Sequence, residues 1–300
     1  MTQATPSSEL GWKRHSKPLV PYETSEKLGR FSLLAITLGA FAFLYVPIIV
    51  LVVFSFNSAR TGAVWQGFTL SWYERMINNE RLIDAALKSL VIATVSTIIA
   101  VIIGTLTALA MERYKFRSKG AWDALLYMPV IVPEIVMGVS LAMFFGLVSG
   151  GVKALVTAVT GVEPEVADVR GFGTLVISHV AFSMPFVYLT VRARLADFDT
   201  TLEEAAKDLG ANEMRTFMRI TLPLLAPGII SGALLALTLS IDDFIISFFV
   251  NGKGWNTLPI YIWSALKQGV TPEINAVSTA LLLFSILIVT LSVVIQRRQQ

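Results

Sequence analysis

Six apolar runs divide this chain: Phe31–Phe54, then about 86–111, 121–148, 173–191, 224–250 and 273–296. Each offers the roughly 20 residues that a helix needs to cross a hydrocarbon core. An all-α, polytopic membrane protein with six transmembrane helices follows, because a helix satisfies its own backbone where water is absent. Composition agrees: 54% of residues are hydrophobic, 15% are charged, and the mean hydropathy is +0.67. A soluble domain carries about 25% charged residues. The first run is too long for a signal-peptide core and no small-residue cleavage site follows it, so it reads as a retained span. Pro129 and Pro133 predict a kink in the third run. The fourth run is the shortest. Residues 1–30, with Pro6, Pro18 and Pro21, read as a polar tail without a core of its own, leaving 31–300 as the membrane domain.

The chain has no cysteine and two histidines, His15 and His179. Disulfides and Cys-ligated zinc are excluded, and no metal site is expected. The net charge of +3 reflects basic loops rather than a nucleic-acid patch. Lys13, Arg14, Lys17, Lys27, Arg30, Arg113, Lys115, Arg117, Lys119, Arg192, Arg194, Lys207, Arg215, Arg219, Arg297 and Arg298 fall on one side of the predicted spans. The other side, with Arg60, Arg75, Arg81, Lys88, Lys153, Arg170, Lys253 and Lys267, is about half as rich. The positive-inside rule then puts both termini and the loop after the fourth run in the cytoplasm. Trp65, Trp72 and Tyr73 in the first external loop suit an interfacial aromatic belt or an entry surface.

The loop 192–223 is polar yet helical in pattern. Thr201 stands three residues before Glu204, a capping-box spacing. Ala205, Ala206, Lys207 and Leu209 are good helix formers. Gly210 supplies a stop, and Asn212 can cap a second short helix. Pro223 stands at the first turn of the next run. The segment reads as a helix-turn-helix between spans. Local physics leaves two roles open. It can lie on lipid headgroups, or its two small alanines can let a partner approach closely.

Glu204-Ala205-Ala206, Gly210 and Ile220-Thr221-Leu222-Pro223, at this spacing, resemble the cytoplasmic loop signature of ABC importer permeases at every defined position. The resemblance implies a type I importer permease architecture. It makes Glu204, Ala205, Ala206, Gly210, Ile220, Leu222 and Pro223 a coupling helix that docks on a separate ATPase. The chain has no phosphate-binding loop of its own, since Gly252-Lys253-Gly254 lacks the spacing and the following helix. ATP and Mg are therefore expected on the partner, no cofactor is expected on this chain, and it is expected to be a transport subunit rather than an enzyme.

Asp242 and Asp243 lie inside the fifth run, and Glu134 inside the third. A charge near the bilayer centre costs roughly 2.5–3.5 kcal/mol. Consecutive helical residues diverge by about 100°, so one aspartate is expected to face a pathway and the other a neighbour. Both can instead satisfy helix ends. Glu134 can also bond an N–H freed by Pro133. His179 reads as an interhelical hydrogen-bond partner, and Gly228 with Gly232 allows close helix packing. Carboxylates without lysine or arginine deep in the spans favour a cationic substrate. Phe244, Phe248, Phe249, Tyr261 and Trp263 can add aromatic faces for ammonium groups, or simply pack.

Further stretches resemble the second permease subunit of spermidine/putrescine ABC importers, from about residue 31 to the end. They are Ser55-Phe56-Asn57-Ser58, Trp65-Gln66-Gly67-Phe68, Trp72-Tyr73, Ser240-Ile241-Asp242-Asp243 and 269–276. Glu134 stands where that family carries Asp, which keeps the charge, and the N-terminal tail is longer. The resemblance implies a bacterial inner-membrane location and a heterodimer with a homologous permease. It also implies two copies of a cytoplasmic ATPase, a solute-binding protein outside, and alternating access. A permease of this architecture for an opine or amino-acid derivative is the nearest alternative. An ion-coupled secondary transporter would need inverted repeats and broken helices, which the sequence does not display. An intramembrane enzyme would need a nucleophile–base or metal constellation, and none is evident.

Overall fold

A computed structural model describes residues 22–59, 64–162, 169–196, 198–269 and 272–297, with side chains omitted at 22–26, 28 and 291–297. Most of the expected tail, with Pro6, His15, Pro18 and Pro21, lies outside the described residues, as do Arg60, Val270, Thr271 and Arg298. The chain divides into two compact units, Met1–Val53 and Phe54–Gln300. The first unit is carried by α1 (Tyr22–Phe54), a single helix with Pro47 inside it.

The second unit is helical among the described residues. It holds α2 (Ser71–Asn78), α3 (Glu80–Arg113), α4 (Lys119–Ile131), α5 (Glu134–Thr160), α6 (Phe172–Ala196), α7 (Thr201–Asp208) and α8 (Glu213–Thr216). A π-helical turn, Phe217–Thr221, leads into α9 (Leu222–Asp242), followed by α10 (Ile245–Val250), α11 (Leu258–Gln268) and α12 (Pro272–Arg297). Among the described residues, six helices are long and apolar enough to cross a membrane: Gly29–Phe54, Glu80–Arg113, Glu134–Thr160, Phe172–Ala196, Glu213–Asp242 and Pro272–Thr290.

The core is built where α3, α6 and α9 meet, around Ala100, Ala108, Val187, Tyr188, Val191, Leu225 and Ala236. Small residues set the approach. A Cβ on Gly104 would stand 2.9 Å from Val187 Cβ and 3.1 Å from the Met184 carbonyl oxygen. A Cβ on Gly232 would stand 3.2 Å from Val187 Cα, and one on Gly228 3.0 Å from Arg194 Cβ. Gly228 and Gly232 thus give the close packing expected of them, with α6 as the partner. The run that looked weakest, α6, is the most enclosed, with 56% of its most apolar window buried. Its polar residues Thr174, Ser178, His179 and Ser183 face protein rather than lipid.

Two expected spans are broken rather than continuous. The third run does not kink within 121–148. It stops at Ile131, passes through extended Val132 and Pro133, and restarts as α5 at Glu134. Pro133 lacks an N–H and forces the residue before it out of the helical region. The fifth run stops at Asp242, and Asp243 is extended before α10 begins. The expectation of unbroken helices is therefore corrected at both places.

The aromatic belt reading is also corrected for Trp72. That ring is buried, and its Nε1–H donates to the Asn57 carbonyl oxygen at 2.7 Å. Asn57 organises this loop, accepting from the Gln66 N–H at 2.9 Å and donating to the Val64 carbonyl at 2.8 Å. Tyr73 bonds Ser55 through their hydroxyls at 2.7 Å, while Trp65 stays exposed. Gly104→Leu should overpack the α3–α6 contact and cost about 1–3 kcal/mol. A lowered unfolding midpoint of the detergent-solubilised protein checks it, with Gly120→Leu, where a Cβ meets nothing within 4 Å, as the control.

Candidate functional site

The break after α9 is made by Asp243. Its Oδ1 accepts the Ile246 N–H at 3.1 Å, and its Oδ2 accepts the Ser247 N–H at 2.8 Å. An aspartate in this position caps a helix and competes with continuation of the preceding one. The Ser247 hydroxyl donates to Oδ2 at 2.7 Å, and His179 Nε2 lies 3.3 Å from the same oxygen. Since Ser247 Oγ gives its proton to Asp243, its lone pair faces His179 Nε2 at 3.0 Å and fixes a proton there. His179 Nδ1 meets Ser240 Oγ at 2.6 Å, and Ser240 meets Ser96 Oγ at 3.1 Å. Asp243, His179, Ser96, Ser240 and Ser247 are all buried. One polar chain therefore links α3, α6, α9 and α10.

Glu134 joins the end of this chain. It sits half-buried in the first turn of α5, with its carboxyl within hydrogen-bonding reach of Asp243. Gly138, one turn on, permits the approach. A Cβ there would stand 3.0 Å from Phe249 Cδ2 and 3.5 Å from Ile246 Cα. Glu134 thus meets the second break rather than the backbone freed by Pro133.

Asp242 is separated from Asp243 as the 100° argument requires, but by a broken helix. Its side chain is exposed and lines a shallow groove with Phe244, Pro259, Ile262, Trp263, Leu266 and Leu281. The Phe244 ring lies 5.3 Å from Trp263 and 5.4 Å from Phe248, centroid to centroid. The Lys267 ammonium stands 5.4 Å over Trp263. Tyr261 does not join them. It occupies the other side of α11, where its hydroxyl accepts from Asn79 Nδ2 at 3.0 Å, and Asn79 also donates to Glu273 at 2.9 Å.

The loop between the fourth and fifth spans folds as two short helices. Gly210 adopts φ +84°, with its N–H on the Lys207 carbonyl and the Ala211 N–H on the Ala206 carbonyl, a Schellman stop. Asn212 Oδ1 accepts the Arg215 N–H at 2.9 Å and starts α8. Thr201 does not form a capping box, because it is already the first helical residue. Asp199 Oδ1 takes its N–H at 2.9 Å, a bond that holds the Asp199 carboxyl below the usual carboxylate range. Glu204, Ala205 and Gly210 are exposed, Ala206, Ile220 and Leu222 are half-buried, and Pro223 is exposed in the first turn of α9.

Residues 100–300 match the family described as binding-protein-dependent transport system inner membrane component. This chain belongs to that family of ABC importer permeases. The permease is 43% identical over 258 residues to the spermidine/putrescine transport system permease protein PotC of Haemophilus influenzae, covering 86% of this chain and 93% of that one. It is 38% identical over 250 residues to the putrescine transport system permease protein PotI of Escherichia coli, covering 83% and 85%. Its fold matches a crystal structure of a bacterial ABC transporter involved in the import of the acidic polysaccharide alginate. That match has a TM-score of 0.70 and 18% identity, and covers 92% of this chain and 97% of that one.

The permease is thus a multi-pass transport subunit with the type I importer fold, and its broken helices do not make it a secondary transporter. Residues that sequence reasoning passed over include Ser96, Ser247, Asn79 and Glu203. The first three are ordinary polar side chains whose partners lie far along the chain. Glu203 is masked by the adjacent Glu204, although Glu203 is the buried one. Asp243→Ala should destabilise the solubilised permease by about 2 kcal/mol or more, from a lost cap and unpaired buried donors. Asp242→Ala should change its unfolding midpoint little, because that side chain is exposed.

Proposed function

We propose that this permease serves an ATP-driven importer whose cargo is a polyamine, spermidine or putrescine. The observation that carries the reading is Asp242, an exposed carboxylate ending α9 beside the rings of Phe244 and Trp263. A helix C-terminus bears partial negative charge, so this carboxylate lacks local compensation and favours a cation. Aromatic faces attract ammonium groups, and Lys267 over Trp263 is an instance within the chain. A polyamine carries several ammonium groups on an apolar stem, which suits a carboxylate flanked by rings. The names of the PotC and PotI relatives support the same cargo. Glu134 and Asp243 stand behind this surface and hold the break that presents it.

In this reading, the subunit pairs with a homologous permease, and two copies of a cytoplasmic ABC ATPase bind ATP and Mg. A solute-binding protein delivers cargo from outside, and alternating access moves it across the inner membrane. Both termini and the loop 192–223 are cytoplasmic. The exposed Glu204, Ala205 and Gly210 support a docking surface, and Ile220, Leu222 and Pro223 tie it to α9.

Uptake of labelled spermidine by the reconstituted importer tests the cargo. Saturable, ATP-dependent uptake is expected, with Asp242→Asn lowering it about tenfold, the equivalent of ~1.4 kcal/mol. Uptake of an opine or amino-acid derivative without any polyamine uptake would overturn the reading. Gly210→Trp should abolish ATP-driven uptake while the subunit still inserts, because the Schellman stop needs positive φ. Normal uptake by that variant would remove the docking role.

A further inference from the structure

Glu203 is the buried acid of the loop, and its Oε1 receives two donors from different parts of the fold. One is the guanidinium of Arg113 at the C-terminal end of α3, and the other is the hydroxyl of Thr221 in the π-helical turn before α9. The Glu203 side chain is 12% exposed, that of Arg113 41%. Thr221 is fully buried. A π-helical turn is rare and costly, and such turns occur often at functional sites. Here it brings Thr221 onto the acid of α7.

The residue before Arg113 makes the next contact. Glu112 Oε2 lies 3.9 Å from Arg192 Nε on α6. Arg192 donates to Asp123 Oδ1 on α4 at 2.8 Å, and the Tyr188 hydroxyl donates to the same oxygen at 2.7 Å. This clasp matters to α4 because no residue of that helix is buried. Beyond it lies the break at Val132 and Pro133. Charged and polar contacts thus lead from α7 to the last turn of α3, where Arg113 and Glu112 are neighbours on the backbone, and from there to the helix preceding the break.

We propose that Glu203 is a positioning residue that makes α7 move as one body with the last turn of α3 and the start of α9, so that displacement of α7 reaches α4 through Glu112, Arg192 and Asp123. The proposal rests on the reading of α7 as the ATPase-docking helix, and it does not depend on the cargo. Exposed Glu204 faces the partner, while Glu203 holds the helix that presents it. An ion pair at this depth retains more of its Coulomb attraction than a surface pair. Loss of the acid leaves Arg113 partly solvated, so Glu203→Gln should fold.

Because the chain has no cysteine, a single reporter can be placed on α4. Gly120 is exposed at the start of that helix beside Lys119, and a Cβ there meets nothing within 4 Å, so Gly120→Cys is suited to maleimide labelling in the assembled permease–ATPase complex, with and without ATP. The labelling rate should change with ATP in the otherwise unaltered chain. In Glu203→Gln that change should fall about fivefold or more, at the low end of measured coupling between sites, while the ATPase still copurifies. The swapped pair Arg113→Glu with Glu203→Arg should restore part of the response. An ATP response in Glu203→Gln equal to that of the parent, or none in the parent, would overturn the proposal. So would loss of ATPase copurification in Glu203→Gln, which would make Glu203 part of the docking surface itself. Failure of the cargo reading appears separately, as absent polyamine uptake by the parent complex.

Discussion

A helix that stops inside a bilayer leaves N–H and C=O groups that water cannot reach, each costing on the order of a few kcal/mol if unmet. At the end of α9 that demand falls on one side chain. Asp243 gives its two oxygens to the N–H groups of Ile246 and Ser247, and α10 can begin within three residues. The buried carboxylate then needs donors of its own, which come from Ser247 Oγ and His179. His179 needs Ser240, and Ser240 reaches Ser96. The polar character of α6, unusual for a span, follows from this sequence of demands. The helix can carry His179, Ser178 and Ser183 because it is enclosed by other helices and meets little lipid.

The three membrane carboxylates differ in what the backbone offers them. Glu134 and Asp243 sit at helix N-termini, in the first turn of α5 and at the start of α10, where the helix dipole favours negative charge. They also lie beside each other, so the two breaks support one another through α5 and α10. Asp242 ends α9, where the dipole opposes it, and it turns to an exposed aromatic surface. Two adjacent aspartates therefore part company: one satisfies the protein, and the other is left exposed. The same logic separates Glu203, held by Arg113 and Thr221, from Glu204, which faces outward.

The spans, the helical loop and its stop at Gly210 were legible because each rests on local chemistry: apolar run length, a glycine with positive φ, an asparagine cap. The breaks were harder. Pro129 and Pro133 announced a disturbance, but whether a proline kinks or interrupts a helix depends on tertiary packing, and here α10 packs on the first turns of α5 at Gly138, more than a hundred residues along the chain. Nothing local distinguishes Asp243 as a cap from Asp242 as a surface charge. That distinction needs the position of His179, more than sixty residues earlier. Thr201 misled for a related reason: Asp199 captures its N–H first, and the capping box never forms. Trp72 has the composition of a belt residue, but the Asn57 carbonyl offers its indole N–H a buried partner.

A crystal structure of an ABC transporter involved in the import of an acidic polysaccharide shares this fold at 18% identity. What separates one such chain from another lies in side chains that the fold presents without using. Asp243, Glu134 and His179 are consumed in holding the breaks, and replacing them would alter the bundle. Asp242, Phe244, Phe248 and Trp263 carry no such burden. Three of them border the break and the fourth lies on α11 across the groove, so the break that Asp243 maintains also fixes where they point. Substitution at these positions can therefore proceed without rebuilding the polar core. The structural acid and the exposed acid stay adjacent in such a design, because the cap that ends α9 is also what leaves Asp242 at its tip.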